Sequence, residues 1–301
     1  MDGKPRIGVA LGSGSARGWA HIGVLRVLQE AGLEPQVVCG TSIGSLVGAA
    51  CVAGELDRLE AWVRSLTWQA VVGMLDLTTS GGLIKGRALT EFFRRHFRDR
   101  DIQTLDRTFG AVATQLTTGQ EVWLQSGSLI DAVRASMAFP GLLTPAQDRG
   151  RLLVDGGLVN PVPVSLCRAL GADLVVAVDL NSDLLGRHLR PPARPEEPAP
   201  ANGGPLANML DRLQSGLGRL RSGPSHSSAM PSIVDVLASS VNIMQVRITR
   251  SRLAGEPADI LIQPRLAQMA FMDFHRGAAA IAEGRRAARE ALPQFTQFGL
   301  G

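Results

Sequence analysis

The sequence predicts an α/β fold of three layers, in which a mostly parallel central sheet lies between helices. Its amino-terminal half alternates short apolar runs typical of buried strands with runs whose apolar residues recur at helical spacing. This strand–helix–strand–helix order is typical of a parallel sheet whose connections are helices. The chain has 301 residues, 45% of them hydrophobic and 19% charged, which is enough for a substantial core. We therefore expect a single α/β domain over 1–301.

The predicted elements of the first part of the chain begin with a buried strand. In order they are a strand at 6–11, a Gly/Ser turn at 12–18, a helix at 19–30, a strand at 36–39, a helix at 45–53 and a helix from 56 to about 72. The helix at 19–30 is predicted because Val24, Val27 and Leu28 recur at helical spacing. Gly32 is placed to end it.

Five further strands are predicted in the second part of the chain. In order the predicted elements are a turn at Ser80-Gly81-Gly82, a helix through 89–93, strands at 109–116 and 121–124, a helix at 129–136, strands at 151–154 and 174–178, a helix from 233 through 244, a strand at 260–262 and a helix from about 268 to 292. These elements extend the same sheet and its covering helices.

A segment at about 186–230 interrupts this pattern, and we expect it to be a mobile insertion. Residues 191–205 hold six of the 17 prolines, so they predict a loop or disordered linker. The apolar residues of 206–220 fall on one helical face, and 186–230 carries six arginines against three acidic residues. Three interpretations stay open: an amphipathic helix in peripheral contact with an anionic membrane, a helix packed on its own domain, and a poorly ordered lid.

Composition excludes several classes of function. The net charge of +4 comes almost wholly from arginine, because Lys4 and Lys85 are the only lysines. Aromatic residues make up 4%, and no basic block alternates with them, which argues against nucleic-acid binding. The three cysteines, Cys39, Cys51 and Cys167, have no C-x-x-C spacing, so neither a disulfide framework nor a zinc site is predicted.

The sequence favours a cytoplasmic protein. No apolar run approaches the length that crosses a bilayer. The first six residues lead directly into a strand, without the apolar core of a signal peptide. Oligomeric state is not predicted.

The motif Gly40-Thr41-Ser42-Ile43-Gly44 is the first candidate for chemistry. A G-x-S-x-G sequence between a strand and a helix is typical of a nucleophile elbow, in which the serine occupies a strained turn and exposes its hydroxyl. Gly40 and Gly44 remove side chains that would clash there. Ser42 is therefore the predicted nucleophile, and it needs a base and an oxyanion hole.

The turn at 12–18 is the predicted oxyanion loop. Its small residues allow backbone N–H groups to converge, and the following helix adds positive potential at its amino terminus. A dinucleotide-binding loop fits less well, because Gly12, Gly14 and Gly18 do not have G-x-G-x-x-G spacing and no acidic residue ends the second strand. A purely structural turn is the remaining alternative.

Asp155 is a better candidate for the base than any histidine. His188 and His226 flank the proline-rich segment and His275 lies in a predicted helix, so none follows a strand as a triad histidine does. Asp155 ends a strand and precedes Gly156 and Gly157. In a parallel sheet this edge is also where Ser42 emerges.

These motifs, in this order, resemble the patatin-like phospholipase family, in its bacterial branch related to neuropathy target esterase. The resemblance rests on the Gly-rich loop ending in Arg17-Gly18, the elbow and the late Asp-Gly-Gly. Residues 135–140 and 160–163 are also similar to family segments, and the similarity covers 7 to about 181 and resumes near 233. In one departure, Ser13 and Ser15 stand where the family usually has glycine.

The resemblance implies a serine acyl hydrolase that acts on lipid esters, with a patatin-like fold and no metal or cofactor. It implies that Ser42 is the nucleophile and Asp155 the base of a Ser–Asp dyad. The oxyanion hole would come from Gly14 and Ser15, with Ala16 and Arg17 beside them. One alternative, favoured by Ser13 and Ser15, is a weakly active or inactive member that binds lipid or regulates. Another is a histidine-dependent triad esterase.

Overall fold

The computed structural model describes residues 5–74, 94, 98–184 and 233–300. The chain divides into a main unit, residues 1–185 and 238–301, and a smaller unit, Gly186–Leu237, of which only 233–237 are described. Several predictions lie outside the described residues: the turn at 80–82, the helix at 89–93, the insertion at 186–230, and His188 and His226. The single domain with an insertion therefore stays a prediction.

One eight-stranded sheet forms the centre of the main unit. Its strands are β1 (Ile7–Leu11), β2 (Val37–Thr41), β3 (Thr108–Gln115), β4 (Glu121–Leu124), β5 (Ala146–Asp148), β6 (Arg151–Asp155), β7 (Leu174–Val178) and β8 (Ile260–Ile262). The order is β5-β6-β3-β2-β1-β7-β8, and β4 also pairs with β3. Neighbours from β3 to β8 are parallel, whereas β4, β5 and β6 pair antiparallel. The mostly parallel α/β sheet predicted from the sequence is confirmed.

Helices cover this sheet. They are α1 (Ala20–Glu30), α2 (Ile43–Val52), α3 (Leu56–Ser65), α4 (Trp68–Met74), α5 (Leu129–Ser136), α6 (Val164–Ala169), α7 (Ile233–Gly255) and α8 (Gly277–Ala291). Short 3₁₀ turns lie at Ser15–Trp19, Ile102–Thr104, Gly156–Leu158, Phe274–Arg276 and Leu292–Phe298.

The structure corrects the predicted helices in three places. The helix expected over 56–72 is two helices, because Leu66 is extended and Thr67 accepts a hydrogen bond from the Ala70 N–H, as an N-cap does. The helix expected from 268 begins only at Gly277, since the preceding residues form turns. The helix expected to end near 244 continues to Gly255.

The first and last helices of the described chain pack against each other at the level of their backbones. A Cβ atom on Gly23 of α1 would lie 2.0 Å from the Ile281 carbonyl oxygen, and one on Gly284 of α8 would lie 2.0 Å from that of Ala20. Only glycine permits this approach. The contact holds α8 and the residues just before it, 271–276, against the amino-terminal part of the fold.

Strands β2 and β6 lie on the same edge of β3 and meet end to end. Ala111 and Val112 pair with both β2 and β4, so these two strands lie on opposite edges of β3. Ala113 and Thr114 pair with both β4 and β6, so β6 also lies opposite β4. The last residue of β2, Thr41, therefore pairs with Val112, and the last residue of β6, Asp155, pairs with its neighbour Ala113.

Candidate active site

Ser42 occupies a strained turn between β2 and α2. Its backbone angles are φ 55° and ψ −124°, a conformation that costs a non-glycine residue about 1–3 kcal/mol. Hydrogen bonds hold the turn: the Ser42 carbonyl accepts from the Ser45 N–H at 2.9 Å and from the Ser45 hydroxyl at 2.6 Å, and the Ser42 N–H donates to Ser136 Oγ at 2.9 Å. The half-buried hydroxyl points out of the sheet edge toward Asp155.

The carboxylate of Asp155 accepts a hydrogen bond from the hydroxyl of Ser42. Ser42 Oγ donates to Asp155 Oδ2 at 2.5 Å, and the Gly157 N–H donates to Oδ1 at 2.7 Å. The side chain is only 1% exposed. Burial raises the pKa of Asp155 to about 6, and the hydrogen bonds from Ser42 and Gly157 oppose this rise. The carboxylate is therefore a stronger base than an exposed aspartate.

The segment from Ser136 to Ala138 accepts hydrogen bonds from the backbone N–H groups of Ser42 and Asp155. Ser136 Oγ accepts from the Ser42 N–H, and the Ala138 carbonyl accepts from the Asp155 N–H, each at 2.9 Å. Ser136 is fully buried. The sequence of this segment shows only a family resemblance, because its structural role depends on contacts with residues at the ends of two distant strands.

In the loop at 12–18, two backbone N–H groups have no acceptor among the residues that the structure describes. The N–H groups of Ser13, Ala16 and Arg17 donate to the carbonyls of Pro161, Phe271 and Gly14, respectively. Among the described residues, nothing accepts from the N–H groups of Gly14 and Ser15, and both residues line the same pocket as Ser42. Of the four predicted oxyanion-hole residues, these two thus have N–H groups free for a ligand.

Ser13 and Ser15 use their hydroxyls inside the protein. Ser13 Oγ donates to Gln245 Oε1 at 3.0 Å, and Ser15 Oγ donates to the Phe271 carbonyl at 2.6 Å. Ser15 has a left-handed φ of 51°, which favours glycine. Its side-chain bond offsets part of that cost, so the loop keeps its conformation without the glycine.

The Arg17 side chain belongs to a buried polar network and not to the pocket lining. It is 2% exposed, and Nη2 donates to Asn181 Oδ1 at 3.0 Å and to Asn242 Oδ1 at 3.2 Å. Burial lowers its pKa to about 10, so it stays charged at neutral pH.

The described histidines lie outside the pocket lining. Buried His21 hydrogen-bonds through Nε2 to the Gly12 carbonyl at 2.7 Å, and burial lowers its pKa to about 4, so it is neutral at physiological pH. The ring of His275 contacts that of Trp68 edge-on. His96, like His188 and His226, lies outside the described residues.

An apolar pocket opens beside Ser42. It encloses about 1000 Å³, part of it open to solvent. Its polar members are Ser13, Ser15, Ser42, Asn242 and Gln245, and the other lining residues are Gly14, Trp19, Ile43, Leu46, Trp62, Leu66, Val71, Met137, Phe139, Leu142, Leu143, Phe271, Met272 and Phe274. The described lining holds no charged side chain. Its apolar lining suits a hydrocarbon chain.

Metal ligands do not cluster within the part of the chain that the structure describes, where no three His, Cys, Asp or Glu side chains could hold an ion together. Cys39 and Cys167 are buried free thiols, and Cys51 is a half-buried one. Over those same residues, every helix is too short or too polar to span a membrane.

The described site brings together, in an α/β fold, a serine in a strand–turn–helix elbow, a strand-end aspartate and an apolar pocket. The sequence pattern of patatin-like phospholipases matches residues 9–168. The chain belongs to the patatin-like phospholipase family, and this membership implies lipid acyl hydrolase activity.

Relatives and a solved structure agree with this assignment. An uncharacterized NTE family protein of Mycobacterium tuberculosis is 33% identical, over 97% of this chain and 92% of its own length. Human patatin-like phospholipase domain-containing protein 6 is 38% identical over 58% of this chain and 13% of its own length. The crystal structure of VipD from Legionella pneumophila matches with a TM-score of 0.53 at 12% identity, covering 97% of this chain and 67% of that one. This last match supports the fold alone.

Proposed function

We propose that this protein is a serine hydrolase that cleaves carboxylic ester bonds of lipids, in the manner of a phospholipase or lysophospholipase, through a Ser42–Asp155 dyad. The observation that carries the proposal is the 2.5 Å hydrogen bond from Ser42 Oγ to Asp155 Oδ2 at the wall of an apolar pocket. A serine hydroxyl becomes nucleophilic when a positioned base accepts its proton. The raised pKa of Asp155, about 6, suits that task near neutral pH.

In the acylation step, Ser42 Oγ attacks the ester carbonyl carbon while its proton passes to Asp155 Oδ2. The negative charge on the carbonyl oxygen is stabilised by the N–H groups of Gly14 and Ser15, which lack protein acceptors among the described residues. The tetrahedral intermediate collapses, the C–O bond to the alcohol breaks, and Asp155 returns the proton to the departing oxygen.

Deacylation repeats these steps with water. A water molecule gives a proton to Asp155 and attacks the acyl carbon, and the bond to Ser42 Oγ breaks. Ser42 regains its proton, and the fatty acid leaves. The acyl chain lies throughout among the apolar residues of the pocket, such as Trp62 and Leu143.

A fluorophosphonate probe and a short-chain p-nitrophenyl ester test the proposal. We expect the wild type to be labelled and to hydrolyse the ester, and Ser42→Ala to lose both properties. Asp155→Asn should lose at least a thousandfold in kcat, because an amide cannot accept the serine proton. Ser126→Ala and Asp106→Asn change exposed residues of the same types and serve as matched controls.

Two outcomes would overturn the proposal. If Ser42→Ala is labelled and active like the wild type, another nucleophile acts. If the folded wild type neither reacts with the probe nor hydrolyses any acyl ester, the alternative of a lipid-binding or regulatory protein is supported instead.

A further inference from the structure

Gln245 places an amide group in the pocket wall next to the proposed dyad. It lies in α7, is 5% exposed, and lines the pocket together with Ser42 and Gly14. Its side chain ends a chain of buried hydrogen bonds that begins at Arg17. The direction of each bond in this chain decides which end of the Gln245 amide faces the pocket.

That direction follows from the chemistry of Arg17. A guanidinium group only donates hydrogen bonds, so Asn181 must turn its carbonyl oxygen toward Arg17 Nη2, at 3.0 Å. The NH₂ group of Asn181 then points the other way, to the Ser13 carbonyl at 3.2 Å and to Gln245 at 3.3 Å. Because the Asn181 NH₂ group donates this bond, the Gln245 atom that faces it is the carbonyl oxygen, Oε1. The same oxygen also accepts from Ser13 Oγ at 3.0 Å. The NH₂ group of Gln245 is therefore its free end.

The free end lies over Gly157, beside Asp155. A Cβ atom added to Gly157 would be 2.4 Å from Gln245 Nε2 and 3.0 Å from Asp155 Oδ1. Both atoms thus lie within 3.0 Å of one point in the site. No described residue accepts a hydrogen bond from Gln245 Nε2, although the oxygen of the same amide, Oε1, accepts two. An amide donor in an apolar site is stabilised when a ligand supplies the missing acceptor.

The position next to Asp155 indicates which part of the substrate this acceptor belongs to. In the proposed reaction, Asp155 returns a proton to the departing alcohol, so its side of the site faces the alcohol and not the acyl chain. The described pocket lining contains no charged side chain. The Gln245 amide is therefore a neutral donor without a charged neighbour in the described lining. Such a donor suits a neutral ligand acceptor, such as a hydroxyl or ester oxygen.

We propose that Gln245 Nε2 donates a hydrogen bond to an oxygen on the alcohol part of the ester, so that the enzyme prefers esters of glycerol-type alcohols to esters of plain alkyl alcohols. This inference rests on the proposed function and deepens it. The bond would form between the Gln245 amide and an oxygen on the carbon next to the esterified one.

A matched pair of substrates tests this preference: 1-monohexanoylglycerol and propyl hexanoate share an acyl group and a three-carbon alcohol but differ in the hydroxyls. We expect the wild type to have about tenfold higher kcat/KM for the glycerol ester, the effect of one neutral hydrogen bond. Gln245→Glu retains an acceptor for Ser13 and Asn181 but has no N–H, and Gln245→Met has neither. Both variants should bring the ratio of the two kcat/KM values close to one, whatever their rate on propyl hexanoate.

Each outcome of the experiment has a distinct meaning. A wild-type ratio near one, or equal losses on both substrates in Gln245→Glu, would overturn the inference and leave Gln245 a structural residue. Asp106→Asn should keep the wild-type ratio. If the wild type hydrolyses neither ester and resists the fluorophosphonate probe, the proposed function itself fails.

Discussion

Asp155 shows how strongly the surroundings of one residue change its chemistry. Burial raises the pKa of its carboxyl from 3.8 to about 6. The folded protein therefore binds a proton more tightly than the unfolded chain between these values, so stability falls as pH rises from about 4 to 6 and then stays constant. A rise of this size corresponds to about 3 kcal/mol at neutral pH. This cost follows from the burial of the carboxyl group that we propose as the base.

The same pKa predicts the pH dependence of activity. Below about pH 6 the carboxyl of Asp155 is protonated and cannot accept the Ser42 proton. With a neutral ester, we expect log kcat/KM to fall with unit slope as pH decreases through about 6, and to be level from 7 to 8. Initial rates from pH 4.5 to 8, with unfolding checked at each pH, measure this. A rate that stays level down to pH 4.5 would exclude Asp155 as the base.

Residues with a motif could be found from the sequence, and residues without one could not. Ser42 and Asp155 were identified because glycines and strand ends mark them, and the structure brings their side chains together. Gln245 carries no such mark. Its orientation depends on Arg17 and Asn181, two residues from distant segments, and only coordinates show that chain.

At the scale of elements, the end of α5 connects the two proposed catalytic strands. Ser136 accepts from the Ser42 N–H, and Ala138 accepts from the Asp155 N–H. Moving this segment would shift the nucleophile and the base together. We therefore infer that Ser136 is a positioning residue, which would act on the proposed reaction through Ser42.

We predict that Ser136→Ala lowers kcat about tenfold with little change in KM. The substitution leaves the Ser42 N–H buried without an acceptor, at a cost of about 1–3 kcal/mol to the strained turn. Ser136→Thr retains the hydroxyl and should recover most of the loss. Steady-state kinetics and fluorophosphonate labelling rates on folded protein measure both variants. Equal kcat for Ser136→Ala and wild type would contradict the positioning role.

The sequence predicts element boundaries best where tertiary contacts do not override the local pattern. β4, α5, β7 and β8 occupy the residues expected from the sequence. The helix predicted over 56–72 breaks because Thr67 caps a new helix. The apolar residues continue at helical spacing across this break, so their pattern does not show it. The residues from 268 to 276 form turns instead of helix, and Phe271 and Phe274 lie in the pocket wall.

At the scale of the whole molecule, the packing of α8 on α1 connects distant parts of the main unit. Gly284 lies against the Ala20 carbonyl, and the residues just before α8 supply part of the pocket wall. The strand–helix alternation of the sequence predicts the parallel core. It predicts neither β5 nor the antiparallel pairing of β4, β5 and β6, because tertiary contacts set the partners of these strands.

Gly284→Ala should destabilise the protein by about 3 kcal/mol, because the new Cβ would lie 2.0 Å from a backbone oxygen and the helices must separate. Gly255→Ala is the matched control, since nothing lies within 4 Å of its Cβ position. That variant should be neutral or slightly stabilising. Urea unfolding followed by circular dichroism compares the two. Equal midpoints would show that α1 and α8 adjust without cost.

The end-to-end meeting of β2 and β6 on β3 also governs when the protein becomes reactive during folding. Ser42 and Asp155 are 113 residues apart in the chain, and they come together only after one edge of β3 has accepted both strands. Contacts of such separation are the slow ones to form. If Ser42 is the nucleophile, as we propose, its reactivity toward an acylating reagent would measure completed long-range strand pairing, whereas helix content records only the local structure that can precede it.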